Sequence, residues 1–186
     1  NEEMIPALDE AGKGFEAGTI FLPQLLMSAE AAKAAFAVIK ERLEESGQEQ
    51  ESAGTVLLAT VKGDIHDIGK NIVKVLLENY GFRVLDLGRD VAPETIAEET
   101  VKGHVQAVGL SALMTTTVPA MEETIKLLRK EAPWARIMVG GAVLTEEYAA
   151  AIGADAYCKD AMASVNFAMK VLKEEKAQEP REASEP

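Results

Sequence analysis

Cysteine is all but missing from this chain. Cys158 stands alone, so no internal disulfide can brace the fold, in keeping with a reducing, cytoplasmic setting. Positive charge is also scarce: 19 Lys and Arg face 31 Asp and Glu, for a formal net charge of -12. A surface that tracks phosphates needs clustered basic side chains, so nucleic acid is excluded as a partner. No apolar run approaches the ~20 residues that cross a bilayer, and the opening Asn1-Glu2-Glu3-Met4 has neither the charge nor the apolar stretch of a secretory leader. The chain is therefore expected in the cytoplasm and off the membrane. What is present, 47% hydrophobic and 27% charged residues, is the composition of a globular protein with room for one core and a small appendage.

Met4, Ile5, Leu8, Ala11 and Phe15 form an apolar stripe at helical spacing and predict a helix ending near Gly18. A second helix over about 22–43 places Leu22, Leu25, Leu26, Ala29, Phe36, Ile39 and Leu43 along one side, with Pro23 tolerated in its first turn. This helical pair, over 1–46, buries too little surface alone and must pack on something else. Residues 47–53 belong to a polar run without periodicity and read as a linker. From Gly54 onward, β-branched runs at 55–61, 83–87, 105–110, 136–139 and 154–157 alternate with helical stretches near 67–79, 93–102, 118–131, 145–152 and 160–173. Such units predict an α/β domain over 54–174, a flavodoxin-like five-stranded parallel sheet in the order 2-1-3-4-5 with helices on both faces. Its crevice would open just after Val61 and just after Leu110. Residues 175–186, rich in Glu, Lys and Pro, are expected to fray as a flexible tail.

The first of those loops, Lys62-Gly63-Asp64-Ile65-His66-Asp67-Ile68-Gly69, puts an imidazole and two carboxylates at the crevice mouth. Asp64 can bond to Nδ1–H of His66 and leave Nε2 for a metal. A histidine that caps the next helix, or merely sits on the surface, accounts for the same residues equally well. The second loop, Ser111-Ala112-Leu113-Met114-Thr115-Thr116-Thr117, supplies hydroxyls, although Thr117 before Val118-Pro119 reads by itself as a helix N-cap. Gly140-Gly141 either lets a ligand lie against backbone or makes a tight turn. His104 reads as a solvated helix-end residue and Cys158 as a small buried hydrophobe.

Jointly, Asp64, His66 and Gly69, then Ser111 and Leu113, then Gly140 and Gly141, match the cobalamin-binding fingerprint in residue type and interval. The chain resembles the cobalamin module of methionine synthases and the small corrinoid proteins that serve methanol, methylamine and related methyltransferases. That resemblance implies cobalamin or a related corrinoid, in its methylcobalamin form, as cofactor, and His66 as lower ligand to cobalt. It implies an aspartate–histidine–hydroxyl relay of Asp64, His66 and Thr117, with threonine standing where methionine synthases carry serine. It further implies that Asp67, Ile68, Gly69, Ser111, Leu113, Thr115, Gly140 and Gly141 surround the cofactor, whose nucleotide tail enters a slot beside the sheet. The run Phe21-Leu22-Pro23-Gln24-Leu25-Leu26-Met27-Ser28-Ala29-Glu30 resembles the helical cap of methyl-transferring members, so Phe21, Leu22 and Leu25 are expected to roof the methyl face. The family cap is a four-helix bundle, and this sequence opens at what resembles its third helix.

Methyl transfer needs a carrier that is a nucleophile when bare and an electrophile when methylated, which cobalt in a corrin is and no side chain is. The expected function is methyl carriage between donor and acceptor domains or subunits, served by a reductive activation partner, in a component not active alone. A domain of a methionine-synthase-like enzyme is placed ahead of a free-standing corrinoid protein, and the cap disfavours a cobalamin-dependent mutase. A phosphorylated receiver would need an aspartate where Val108-Gly109-Leu110-Ser111 has none, and a flavodoxin would need a hydroxyl-rich phosphate cradle in the first loop.

Overall fold

A computed structural model of the chain describes residues 4–45 and 54–178. Five strands, β1 (Thr55–Thr60), β2 (Arg83–Asp86), β3 (Ala107–Ser111), β4 (Arg136–Gly140) and β5 (Ala156–Tyr157), form one sheet. Every pairing is parallel and the order is β2-β1-β3-β4-β5, the flavodoxin-like arrangement expected. The seven helices among the described residues are α1 (Met4–Glu16), α2 (Leu22–Glu45), α3 (Ile68–Asn79), α4 (Pro93–Lys102), α5 (Val118–Glu131), α6 (Glu146–Ala151) and α7 (Ala161–Gln178).

Side chains alternate across each strand, so the sheet divides the core in two. Leu57, Ala59, Val108, Leu110, Ile137 and Val139 face one way, into a cluster with Ile96 of α4 and Met121, Ile125 and Leu128 of α5. Val56, Leu58, Ala107 and Met138 face the other way, onto Leu76 and Leu77 of α3 and Met162, Val165 and Ala168 of α7. The second cluster also takes in Ala11 of α1 and Leu25 of α2, which is how the helical pair buries its surface. The contact is close, because a Cβ on Gly12 would lie 2.6 Å from Cε of Met162. At the corner of the pair, Gly18 has φ 72° and Gln24 Oε1 accepts the N–H of Phe21 at 2.9 Å, half of a capping box at the start of α2.

Most boundaries fall within a residue or two of the sequence expectation, and three of the differences have a visible cause. β3 begins at Ala107, because Val105 spends its N–H on Thr100 O before the ladder starts. β5 is cut to Ala156–Tyr157, with Asp155 N–H still bonded to Ile137 O. α7 continues to Gln178, into the stretch expected to fray, since Lys173-Glu174-Glu175-Lys176-Ala177-Gln178 consists of strong helix formers. The linker at 47–53, the tail from 179 and the side chains of Met4, Ile5, Leu8, Ala29, Phe36, Ile39 and Leu43 lie outside the described residues.

Candidate functional site

β1 ends at Thr60, and the chain turns at once: Asp64 N–H donates to Val61 O at 3.0 Å, with Gly63 at φ 83° in the third position. The turn drives Asp64 inward until it is fully buried. Its carboxylate is met entirely by donors. Oδ1 accepts the N–H of His66 at 3.0 Å and faces its Nδ1 at 2.8 Å. Oδ2 accepts from Leu113 N–H at 2.7 Å, Met114 N–H at 3.3 Å and Thr117 Oγ1 at 2.8 Å. Burial alone would raise the Asp64 pKa. The hydrogen bonds from the His66 and Leu113 amides, the His66 ring and the Thr117 hydroxyl outweigh it and hold the carboxyl well below its ordinary 3.8.

An ionised carboxylate can only accept, so the proton of a neutral His66 belongs on Nδ1 and Nε2 is left bare. The His66 side chain is 45% exposed and lines a cleft of about 650 Å³. Two bland readings therefore fall. His66 does not cap α3, whose N-cap is Asp67, itself without a side-chain cap bond. Thr117 does occupy the N-cap position of α5, but its hydroxyl makes no cap bond and turns to Asp64 instead. Its methyl is accommodated too, because the nearest atom to a Cβ placed on Gly63 is Thr117 Cγ2 at 3.5 Å.

The cleft runs along the carboxyl ends of β1, β3 and β4 and down between the sheet and α3 and α7. Of the residues expected around a cofactor, His66, Asp67, Ile68, Gly69, Ser111, Leu113, Gly140 and Gly141 line it. Asp64 and Thr117 stand behind His66, while Thr115 is exposed and outside the lining. None of Phe21, Leu22 and Leu25 lines it either. Phe21 is 70% exposed, and Leu25 is fully buried in the second core.

The two glycines of β4 and its loop prove unlike. A Cβ on Gly140 would sit 3.2 Å from Cys158 O. Gly141, at φ 144°, could carry none, since the atom would fall 1.7 Å from Ala112 O. The close approach at Gly141 is thus one of backbone to backbone.

Several lining residues had no local signal. Gly109 passes beneath Leu58 and Met138, leaving a Cβ only 2.6 Å from Leu58 Cδ2. Lys70 is 4% exposed, and its Nζ donates to Asp86 Oδ1 at 2.6 Å and Asn71 Oδ1 at 3.0 Å, while Lys74 reaches Asp86 Oδ2 at 3.3 Å. Burial raises the Asp86 pKa, but the Lys70 hydrogen bond, the Gly88 amide, the Lys70 charge and Lys74 together lower it below 3.8. These are partnerships across sixteen and twelve residues, visible only in three dimensions. Cys158 lines the cleft with its thiol pushed by burial up to about 11, so it is a protonated hydrophobe as expected. His104 lies outside the cleft, its ring 4.7 Å from that of Trp134.

Among the described residues no three His, Cys, Asp or Glu side chains are grouped to hold a metal ion. A metal at Nε2 of His66 must therefore bring its other ligands with it. A corrin ring does so, and the site fits one: a bare imidazole nitrogen, the exposed apolar Ile65, Ile68 and Leu113 around it, and Gly69 with no atom within 4 Å of a would-be Cβ.

A parallel sheet with a histidine-bearing loop at its switch point and a carboxylate–hydroxyl chain behind the ring defines a corrinoid-binding class of α/β protein. Comparison with known proteins agrees. Residues 54–180 match the B12 binding domain family, and residues 1–40 match a second family of the same description. The chain belongs to the B12-binding domain family, and cobalamin or a related corrinoid is its cofactor. It is 40% identical over 167 residues to dimethylamine corrinoid protein 3 of Methanosarcina mazei, covering 89% of this chain and 99% of that one. Among solved structures, a cobalamin-binding protein from Desulfitobacterium hafniense superposes with a TM-score of 0.75 at 30% identity, covering 88% of this chain and 77% of the other. The methanol:cobalamin methyltransferase complex MtaBC of Methanosarcina barkeri gives 0.76 at 30% identity, with 92% and 66% covered. These relatives shift the functional reading from a methionine-synthase domain to the corrinoid proteins of methylamine and methanol systems, and methionine biosynthesis finds no support among them.

Proposed function

We propose that this chain is the methyl-carrying corrinoid protein of a methylamine- or methanol-type methyltransferase system, working with a methyl-donating methyltransferase, a methyl-accepting one and a reductive activator. The observation that carries the proposal is the chain of contacts from Thr117 through Asp64 to His66 Nδ1, which leaves Nε2 at the cleft. A bound corrinoid supplies cobalt, which takes up and gives up a methyl group as no side chain can.

The rest belongs to the protein. Asp64 keeps the imidazole proton on Nδ1 and orients the ring, as a carboxylate bonded to the far nitrogen does for metal-binding histidines. The amides of Leu113 and Met114 with the Thr117 hydroxyl keep Asp64 ionised and lock the loop after β1 to the loop after β3. Ile65, Ile68 and Leu113 offer exposed apolar surface that a bound flat ring would cover, excluding water there. Gly69 and Gly140 keep the walls bare on either side of the sheet's switch point.

Reconstituting the protein with a corrinoid and recording electron paramagnetic resonance of the Co(II) form with nitrogen-labelled histidine tests the ligand. Coupling to the label should appear in the parent and vanish in His66→Gly. The methylamine and methanol methyltransferases of the relatives, each with its own substrate, should then methylate the bound cofactor. Methylation only by the methyl-donor module of a methionine synthase would restore the other reading.

A further inference from the structure

Asp90, in the loop between β2 and α4, has φ 55°. Aspartate enters the left-handed region more readily than most residues, yet the conformation is strained and persists where surrounding contacts over-determine it. Here those contacts converge on the loop that carries His66. Asp90 Oδ1 accepts the N–H of Gly63 at 2.7 Å, and Asp90 N–H donates to the carbonyl of Asp64 at 3.0 Å. The same loop is stitched to the end of β1 by Thr60 N–H to Gly88 O, by Val91 N–H to Thr60 O and by a parallel bridge between Val61 and Val91. Since Asp64 N–H is already spent on Val61 O, both backbone polar groups of Asp64 are satisfied, and the residue before it is held by a charged acceptor.

We propose that Asp90 is a positioning residue for His66: by gripping Gly63 and Asp64 from the neighbouring loop it fixes where the buried Asp64 carboxylate points, and through it which nitrogen of His66 carries the proton. The geometry gives the claim its direction. Asp64 makes no other backbone bond to the β2–α4 loop among those described, so releasing Asp90 frees the turn at Gly63 to swing, and the 2.8 Å approach of Asp64 Oδ1 to Nδ1 loosens with it. Asp90 makes no hydrogen bond to His66 among those described and does not itself line the cleft, so the proposed effect runs through Gly63 and Asp64. The expected consequence for cofactor binding rests on the reading of His66 as cobalt ligand, whereas the consequence for the ring itself does not.

Nitrogen-15 NMR of the histidine rings in the cofactor-free full chain, at a pH where His66 is neutral, reads the tautomer directly, and amide hydrogen exchange at Gly63 reads the clamp. The parent should hold the proton on Nδ1. In Asp90→Gly, which relieves the strain but removes the acceptor, the Nε2-protonated form should rise and Gly63 exchange should quicken at least about tenfold, one broken charge-assisted bond's worth. Asp90→Asn retains both a carbonyl acceptor and tolerance of positive φ, and should restore most of both signals. Corrinoid affinity should fall about fivefold in the glycine variant. An Asp90→Gly protein with parental tautomer and parental Gly63 exchange would overturn the proposal and leave Asp90 a turn residue. A shifted tautomer with unchanged corrinoid affinity would uphold the clamp and count instead against His66 as the ligand.

Discussion

At the scale of single residues the site is organised around one carboxylate with donors on every side. Asp64→Asn cannot be a simple removal of charge, because whichever way the amide lies, its NH2 group faces another donor: the Leu113 and Met114 amides on one side, the His66 amide on the other. The expected cost is about 1–3 kcal/mol at neutral pH. The sign of its pH dependence follows from the lowered pKa. Stability from ionised Asp64 is fully present above its ordinary 3.8 and is lost as the pH falls below that value. The gap between parent and variant should therefore narrow on acidification, measured by urea unfolding at stepped pH, and a gap of constant size would mean the ionisation contributes nothing. Thr117 separates hydroxyl from methyl. Thr117→Val should cost ~1–2 kcal/mol by leaving Oδ2 short of a donor, while Thr117→Ser should stay within ~0.5 kcal/mol, since only the contact of Cγ2 near Gly63 is lost. Asp64 and His66 were legible in the sequence because they stand at fixed intervals in a family fingerprint, whereas Thr117, outside that fingerprint, was reached only through the family resemblance and read locally as a helix cap. Asp90 and Asp86 were not legible, because each acts on a residue sixteen or more positions away and neither interrupts a local pattern.

At the scale of elements, what distinguishes the glycines is which side the crowding comes from. Gly69, second residue of α3, has open space where a side chain would go, and Gly141 has the backbone of the β3–α5 loop. Gly69→Ala should leave the cofactor-free fold intact or up to ~1 kcal/mol more stable, as alanine is the better helix former, while corrinoid affinity drops. Gly141→Ala should lose more than about 3 kcal/mol, because the added carbon meets Ala112 O at a backbone angle that only glycine adopts freely. Paired thermal melts with and without corrinoid check both, and a Gly69→Ala protein with parental affinity would remove that residue from the binding surface. The strands were readable as short apolar runs, since β1, β3 and β4 are buried on both faces. Their ends were not, because Val105 and Asp155 continue the apolar or bonded trend without joining the ladder. Likewise, sequence spacing could assign Gly140 and Gly141 to one loop but could not tell a floor for a ligand from a backbone crossing.

At the scale of the molecule, the helical pair and the sheet domain share one of the two cores, and this alters what the cap's residues are for. Leu25 was expected over the cofactor on the strength of a family resemblance, but the periodicity that put it on the inward side of α2 is equally the signature of a packing position. The structure places it at zero exposure in the cluster with Leu58, Leu76, Tyr80 and Met162, on the α3–α7 face of the sheet. Replacing a leucine at such a site with alanine leaves a cavity that costs about 2–5 kcal/mol. If the cap owes its place to this shared core, Leu25→Ala should lower the single unfolding midpoint of the whole chain, read by far-ultraviolet circular dichroism and by Trp134 fluorescence together. Trp134 lies in the α5–β4 connection, far along the chain from the cap, so the two probes should move in step. If the cleft beside His66, which Leu25 does not line, holds the cofactor, the variant should keep its corrinoid affinity at temperatures well below that midpoint. A fluorescence midpoint that stays put while the helical signal melts early would show the cap to be an independently folding piece. A loss of affinity without loss of stability would return Leu25 to the face of the cofactor.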